Sequence, residues 1–218
     1  MSSSEESALV VGLGRFGLAT ARRLAALGVE VMGIDSDPVL VQRVSHDLDN
    51  LAVVDATDSD ALEQLGLDHV TVAIVAIANV EASVVSVLKL KEAGIPEVWA
   101  KAASRTHGEI LERVGANHVV YPEAAAGMRV AHSVAHHLFD YFEFEDGFAV
   151  ARVLAPSCTW DRTLGESAVR QRYQVTVVGV KRQGEPFSYA IPETTIREGD
   201  QVIVSGSKQD VDRFSRLR

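Results

Sequence analysis

The stretch Ala8-Leu9-Val10-Val11-Gly12-Leu13-Gly14-Arg15-Phe16-Gly17 decides how the whole chain is read. A short apolar strand runs into a GxGxxG turn, and behind it Phe16, Ala19, Leu24 and Leu27 recur at helical spacings. The next apolar run, residues 29–34, ends in Asp35. A bare GxGxxG says little, because glycine is common in turns. Set between a strand and a helix, with an acidic residue closing the following strand, it points to a turn that binds the phosphates of a mono- or dinucleotide. In that reading Gly12 makes the tight turn, Gly14 lets backbone amides approach phosphate, and Gly17 lets the helix pack closely on the sheet. The helix N-terminus then offers unpaired N–H groups to the anion. Asp35 accepts from ribose hydroxyls and repels a 2′-phosphate, which disfavours NADP. A glycine turn without a ligand is the bland alternative.

Outward from this turn the alternation continues. Further strands are expected at residues 51–54, 71–77, 97–101 and 118–121. Between them, Asp37-Pro38 starts one helix, Asp58 caps a second, residues 79–93 form a third ended by Gly94 and Pro96, and a fourth lies near residues 106–114. Strands separated by helices imply parallel pairing. The fold class is therefore α/β, a doubly wound parallel sheet of Rossmann type. A long helical stretch follows at residues 123–142, and the polar turn Glu143-Phe144-Glu145-Asp146-Gly147 sets the domain boundary, giving domains 8–142 and 143–218. The second is a smaller α+β domain, with strands expected at 149–154, 175–182, 187–191 and 201–205. Its helices are expected near 165–173 and at 208–217.

Composition excludes several classes. With 218 residues, 47% hydrophobic and 23% charged, the chain suits a globular core rather than a disordered or fibrous one. One cysteine, Cys158, leaves no disulfide framework, cysteine-rich zinc module or iron–sulfur cluster. The longest apolar run, residues 72–78, is far shorter than the roughly 20 residues that cross a bilayer, and no secretion signal opens the chain. A cytoplasmic protein is expected. The net charge of −9 comes from residues 1–142, with 10 Lys and Arg against 19 Asp and Glu, while residues 143–218 balance at 11 each. No basic patch marks a nucleic-acid partner. His132 and His136 have the i, i+4 spacing that can hold a metal but no apparent third ligand, so surface or interface histidines are the plainer reading. No GxSxG, CxxC or base–nucleophile pair is assembled, and residues 149–218 contain no histidine, so no catalytic residues are assigned.

The motif Val11-Gly12-Leu13-Gly14-Arg15-Phe16-Gly17 occurs with Ile34-Asp35, Asp55-Ala56-Thr57, Val98-Trp99-Ala100-Lys101-Ala102 and Tyr121-Pro122-Glu123. Later come Tyr173-Gln174-Val175-Thr176-Val177-Val178-Gly179-Val180-Lys181 and Ile196-Arg197-Glu198-Gly199-Asp200. Together they resemble the RCK family, the regulators of potassium conductance, and most of all the stand-alone gating subunits of Ktr and Trk potassium uptake. The resemblance spans almost the whole chain. It implies a site for ATP and ADP, or NAD and NADH, formed by Gly12, Gly14, Arg15, Phe16, Gly17, Asp35, Ser36, Asp55, Ala56, Thr57, Ile77, Ala78 and Lys101. The base would lie near Asp55-Ala56-Thr57 and the ribose on Asp35. Arg15 would reach a terminal phosphate, often that of the neighbouring subunit's nucleotide; a solvated first-turn arginine is the alternative. Glu123, close to the phosphates, would need a cation such as Mg²⁺ or Ca²⁺ between the two anions, or else serves only as a helix cap. The resemblance further implies that the helix of residues 123–142, with its stripe of Val130, Val134, Leu138, Phe139 and Phe142, crosses to a second subunit. It implies dimers assembled into an octameric ring on the inner face of the membrane, against an integral-membrane potassium-translocating subunit. An NAD-dependent oxidoreductase and a regulator of another cation transporter are the rival functions.

Overall fold

Strand β1, Ser7–Val11, is buried on both faces, and it feeds helix α1, Arg15–Ala26, through the glycine turn. The computed structural model describes residues 7–136, 139–144 and 146–217, the side chains of residues 132, 133, 135 and 136 excepted. The first half continues as β2 (Glu30–Asp35), α2 (Pro38–Arg43), β3 (Asn50–Val53), α3 (Ser59–Glu63), β4 (Val72–Val75), α4 (Val80–Glu92), β5 (Glu97–Lys101), α5 (Arg105–Arg113) and β6 (His118–Val120). The six strands form one parallel sheet in the order β3-β2-β1-β4-β5-β6. Alternate residues of β1 serve two cores. Ala8 and Val10 join Leu13, Ala21, Val41 and Ile74, while Leu9 and Val11 join Val75, Val87, Leu90, Val98 and Leu111. Strands covered on both faces by crossover helices read as unbroken apolar runs, which is why the sequence shows them so clearly.

Two glycines set the approach of α1. Gly12 has φ +93°, and a Cβ there would meet the Ala76 main chain at 3.1 Å. A Cβ on Gly17 would stand 1.9 Å from the Gly12 carbonyl oxygen, whereas one on Gly14 would meet nothing within 4 Å. The tight turn and the close helix packing expected of Gly12 and Gly17 are thus present, and the space before Gly14 is open.

The chain forms two compact units that divide between Glu123 and Ala124. Helix α6, Pro122–His136, begins at the end of the first and leads to β7 (Asp140–Glu143). The helical stretch expected to reach residue 142 therefore ends earlier. Tyr141 pairs with Ala151 in the sheet and packs against the second core, while Asp140 and Phe142 on either side of it stay exposed. This alternation around an aromatic residue suits a strand. The boundary set at residues 142 and 143 falls inside this strand.

The second unit continues with β8 (Phe148–Leu154), β9 (Arg162–Thr163), α7 (Leu164–Ser167), α8 (Val169–Tyr173) and β10 (Thr176–Lys181). It ends with β11 (Ser188–Tyr189), β12 (Thr195–Ile196), β13 (Gln201–Ser207) and α9 (Lys208–Ser215). An antiparallel sheet β11-β10-β13-β8-β7 and the pair β12-β9 enclose Ala149, Val153, Val180, Val202, Val204 and Phe214. The helix expected near residues 165–173 is two short helices, broken at Ala168, whose φ is +48°. Thr163 and Glu166 form a capping box that starts the first of them. Burial, with the charges of Glu143 and Asp212, pushes the Tyr141 phenol up to about 12. Cys158 is half-buried and accepts a hydrogen bond from the Tyr173 hydroxyl at 3.4 Å.

The glycine geometry gives a direct stability test. Gly17→Ala should cost about 1–3 kcal/mol or more in denaturant unfolding, because the added methyl overlaps a carbonyl oxygen that has no room to move. Gly14→Ala should leave the unfolding midpoint nearly unchanged.

Candidate functional site

In a parallel sheet all carboxyl ends lie along one edge, and the strand order reverses direction between β1 and β4. The crevice outside that switch point is where ligands bind in open α/β folds. The residues picked out from the sequence fall along this edge. The glycine turn follows β1, Asp35 ends β2, Asp55-Ala56-Thr57 follows β3, Ile77-Ala78 follows β4, Lys101 ends β5, and Glu123 follows β6.

The N-terminus of α1 is the feature that distinguishes this edge. Helices α2 to α5 are each capped by a side chain, in turn Asp37, Asp58, Asn79 and Ser104. Helix α1 begins at Gly14 with no side-chain cap and no acidic residue in its first turn. The first N–H groups of a helix need acceptors that the helix cannot supply. Beside them a Cβ on Gly14 would meet nothing within 4 Å, and Arg15 is exposed. That combination of orphan donors, positive dipole end and guanidinium suits a phosphate or diphosphate.

Asp35 organises the opposite wall. One carboxylate oxygen accepts from the Leu13 N–H at 2.7 Å, and the other accepts from the Asp37 N–H at 2.9 Å. The carboxylate thus ties the glycine turn to the start of α2, a role the sequence reading did not assign. Each oxygen keeps a free lone pair that can still accept from a hydroxyl. Ser36 beside it is exposed. At the end of β3, Asp55 accepts from the Thr57 N–H at 2.9 Å and from its hydroxyl at 2.8 Å. Those two bonds hold the Asp55 carboxyl below its ordinary range. Ala56 is buried beneath this turn, Ile77 packs against the core, and Ala78 is exposed. Phe16 leans on the α1-side core.

At the far end of the edge, the Lys101 ammonium meets a Glu123 carboxylate oxygen at 2.8 Å. The lysine side chain is 14% exposed and that of the glutamate 69%. The Lys101 hydrogen bond, then Glu123's own backbone N–H, hold the Glu123 carboxyl below its ordinary range, with a smaller contribution from Arg15. A cation beside Glu123 is therefore present in the chain itself. For a divalent ion the protein donors are sparse, since among the described residues no three His, Cys, Asp or Glu side chains gather to hold a metal. The side chains of His132 and His136 lie outside the described residues.

Family models described as the TrkA-N domain and the TrkA-C domain match residues 8–122 and 150–218. The chain belongs to the RCK family, in its Ktr and Trk branch. Two relatives from Bacillus subtilis (strain 168) align along nearly their full length. Ktr system potassium uptake protein C is 35% identical over 95% of this chain and 95% of its own. Ktr system potassium uptake protein A is 32% identical over 94% of this chain and 93% of its own. A solved structure of the GsuK channel bound to NAD shares the fold, with a TM-score of 0.57 at 22% identity over all of this chain. This chain spans 39% of that channel chain. The TrkA-N match covers every residue assigned to the crevice except Glu123, which lies just beyond it.

Neutralising Glu123 should release Lys101 toward an incoming phosphate. In Glu123→Gln, calorimetric titration without metal is expected to give ATP affinity at least equal to wild type, with little further gain from Mg²⁺. A gain from Mg²⁺ as large as in the wild type would reduce Glu123 to a helix residue with no part in the site.

Proposed function

We propose that this protein is the cytosolic, nucleotide-sensing regulatory subunit of a potassium uptake system, acting on a separate membrane subunit that carries the ions. The observation that carries this reading is the uncapped N-terminus of α1, opposite Asp35 and beside Arg15, at the carboxyl-end switch point of the sheet. The names of the full-length relatives supply the potassium-uptake context, and the NAD-bound GsuK channel shows that a protein of this fold carries a dinucleotide. Among the described residues no helix is long and apolar enough to cross a membrane, so ion translocation is assigned to the partner.

Each residue has a physical task in this reading. The α1 amides hold the diphosphate shared by ADP, ATP and NAD, and Asp35 accepts from the ribose. The Asp55-Ala56-Thr57 turn flanks the base. Arg15 and Lys101 are the cations within reach of a further phosphate. A divalent ion at this site would use Glu123 and draw its remaining ligands from the nucleotide, supplying charge between two anions.

Regulation then follows from linkage. A ligand shifts a conformational equilibrium only by the difference in its affinity for the two states. A tenfold difference per site is about 1.4 kcal/mol. Moving a population from 1:99 to 99:1 takes roughly 5.5 kcal/mol, so several coupled sites are needed. A closed ring of subunits, as in the octamer implied by the resemblance, supplies them. Helix α6 offers the surface for the first pairing, with Met128 and Val130 both 62% exposed and Val134 76% exposed. Of the others expected on the same helical stripe, Phe139 precedes β7 and Phe142 lies within it, both exposed, while Leu138 lies outside the described residues.

The decisive assay is reconstitution with the membrane subunit in vesicles, where exchanging ATP for ADP should change the rate of potassium flux. Equal flux with either nucleotide, and with none, would overturn the regulatory reading. Asp35→Ala should weaken ATP, ADP and NAD binding at least about tenfold, since it removes hydrogen bonds to a charged acceptor. Unchanged affinities would place the ligand elsewhere. The wild type should be oligomeric by light scattering at micromolar concentration, and Val130→Asp with Val134→Asp should reduce its mass. A monomeric wild type would contradict the assembly.

A further inference from the structure

The second unit contains a recess of about 280 Å³ that the nucleotide reading leaves unused, lined by Arg182, Arg197, Glu185, Ser188 and Thr195 among others. One of these, Arg182, is held in an ion pair. Asp200 is 1% exposed and takes both oxygens to Arg182, from Nε and Nη2, each at 2.8 Å. The same carboxylate accepts the Arg197 main-chain N–H at 2.8 Å, which fixes the backbone that carries the second arginine. One buried acid therefore holds the Arg182 guanidinium and the backbone that carries Arg197, and both residues line the cavity.

These arginines are not equally satisfied. Asp200 uses two edges of the Arg182 fork and leaves Nη1, whose nearest acid is Glu185 at 3.6 Å, beyond ordinary hydrogen-bond range. Among the described residues the Arg197 guanidinium donates to no acceptor, and Arg197 is exposed. Glu185 sits in the turn between β10 and β11 with its side chain 58% exposed, so it is held loosely at the rim. The Thr195 hydroxyl adds a neutral donor, while that of Ser188 donates to the Val180 carbonyl at 3.4 Å. The chain's own carboxylate thus hovers where an anion would complete the unused donors of Arg182.

We propose that this recess binds a small oxyanion-bearing ligand, whose phosphate or carboxylate group displaces Glu185 and is shared by Nη1 of Arg182 and the Arg197 guanidinium. Guanidinium forks recognise both kinds of oxyanion through paired, charge-assisted hydrogen bonds. The volume lies at the small end for ligand sites, which limits the ligand to the oxyanion and a short skeleton. The site lies entirely within the second unit and does not depend on the nucleotide crevice.

The test follows backbone amide resonances of the isotopically labelled full-length protein during separate titrations with inorganic phosphate, pyrophosphate and citrate. These probes distinguish a phosphate from a carboxylate ligand. At least one should cause saturable shifts at residues 182–188 and 195–197 below ~10 mM. Arg197→Ala retains the main-chain bond to Asp200 and should raise the half-saturation concentration about tenfold. Glu185→Gln removes the resident competitor and should lower it about threefold. Arg182 is left intact, because its removal would strand a buried aspartate. Shifts confined to residues 12–17 and 35–37 with all three probes would overturn the proposal, as would equal half-saturation in wild type and Arg197→Ala.

Discussion

The approach of Gly17 to the carbonyl of Gly12 is the constraint on which the first unit depends. No side chain fits between them, so α1 can settle on the sheet only with glycine at both places. That approach brings the start of α1 to the central strand, and the central strand is where the sheet order reverses. A helix start fixed there without a side-chain cap offers N–H donors of the kind that suit an anion. The Asp35 carboxylate then locks the turn from the other side through the Leu13 N–H. Packing, topology and electrostatics converge on one edge of the sheet.

Charge along this edge is arranged in opposition. Asp35 and Asp55 stand on the β2 and β3 side, both engaged with backbone N–H groups. Arg15 and Lys101 stand toward the β5 side, with Glu123 held by Lys101. A ligand with hydroxyl donors at one end and phosphate at the other matches that polarity. Two anions at about 4 Å repel by roughly 4 kcal/mol at an effective dielectric of 20, so a phosphate entering near Glu123 must compete for Lys101 or bring its own cation. In the proposed regulatory role, that competition would make binding depend on phosphate number.

Much of this was legible in the sequence, for reasons particular residues make plain. The central strands β1 and β4 announce themselves because burial on both faces demands continuous apolar runs, and Asp37, Asp58 and Asn79 mark helix starts by capping them. The glycine turn and Asp35 were legible from their place between strand and helix, whereas the other residues of this edge came from the resemblance, and each sits at or just after the end of a strand. What escaped was pairing across distance. Lys101 and Glu123 are 22 positions apart and meet only because β5 and β6 are neighbours in register. Arg182 and Asp200 likewise meet through the pairing of β10 with β13. Strands of two residues, such as β9 and β12, carry no periodicity to read, and β7 was hidden behind a helix whose apolar residues ran on into it.

The central claim is that the amides at the start of α1 take the phosphates of a nucleotide. Hydrogen–deuterium exchange of the intact protein, with and without saturating ADP, tests it most directly. The account predicts slowed exchange in peptides covering residues 12–18 and 35–37, where the phosphates and ribose would sit. Saturable ADP binding with exchange at those residues unchanged would contradict it.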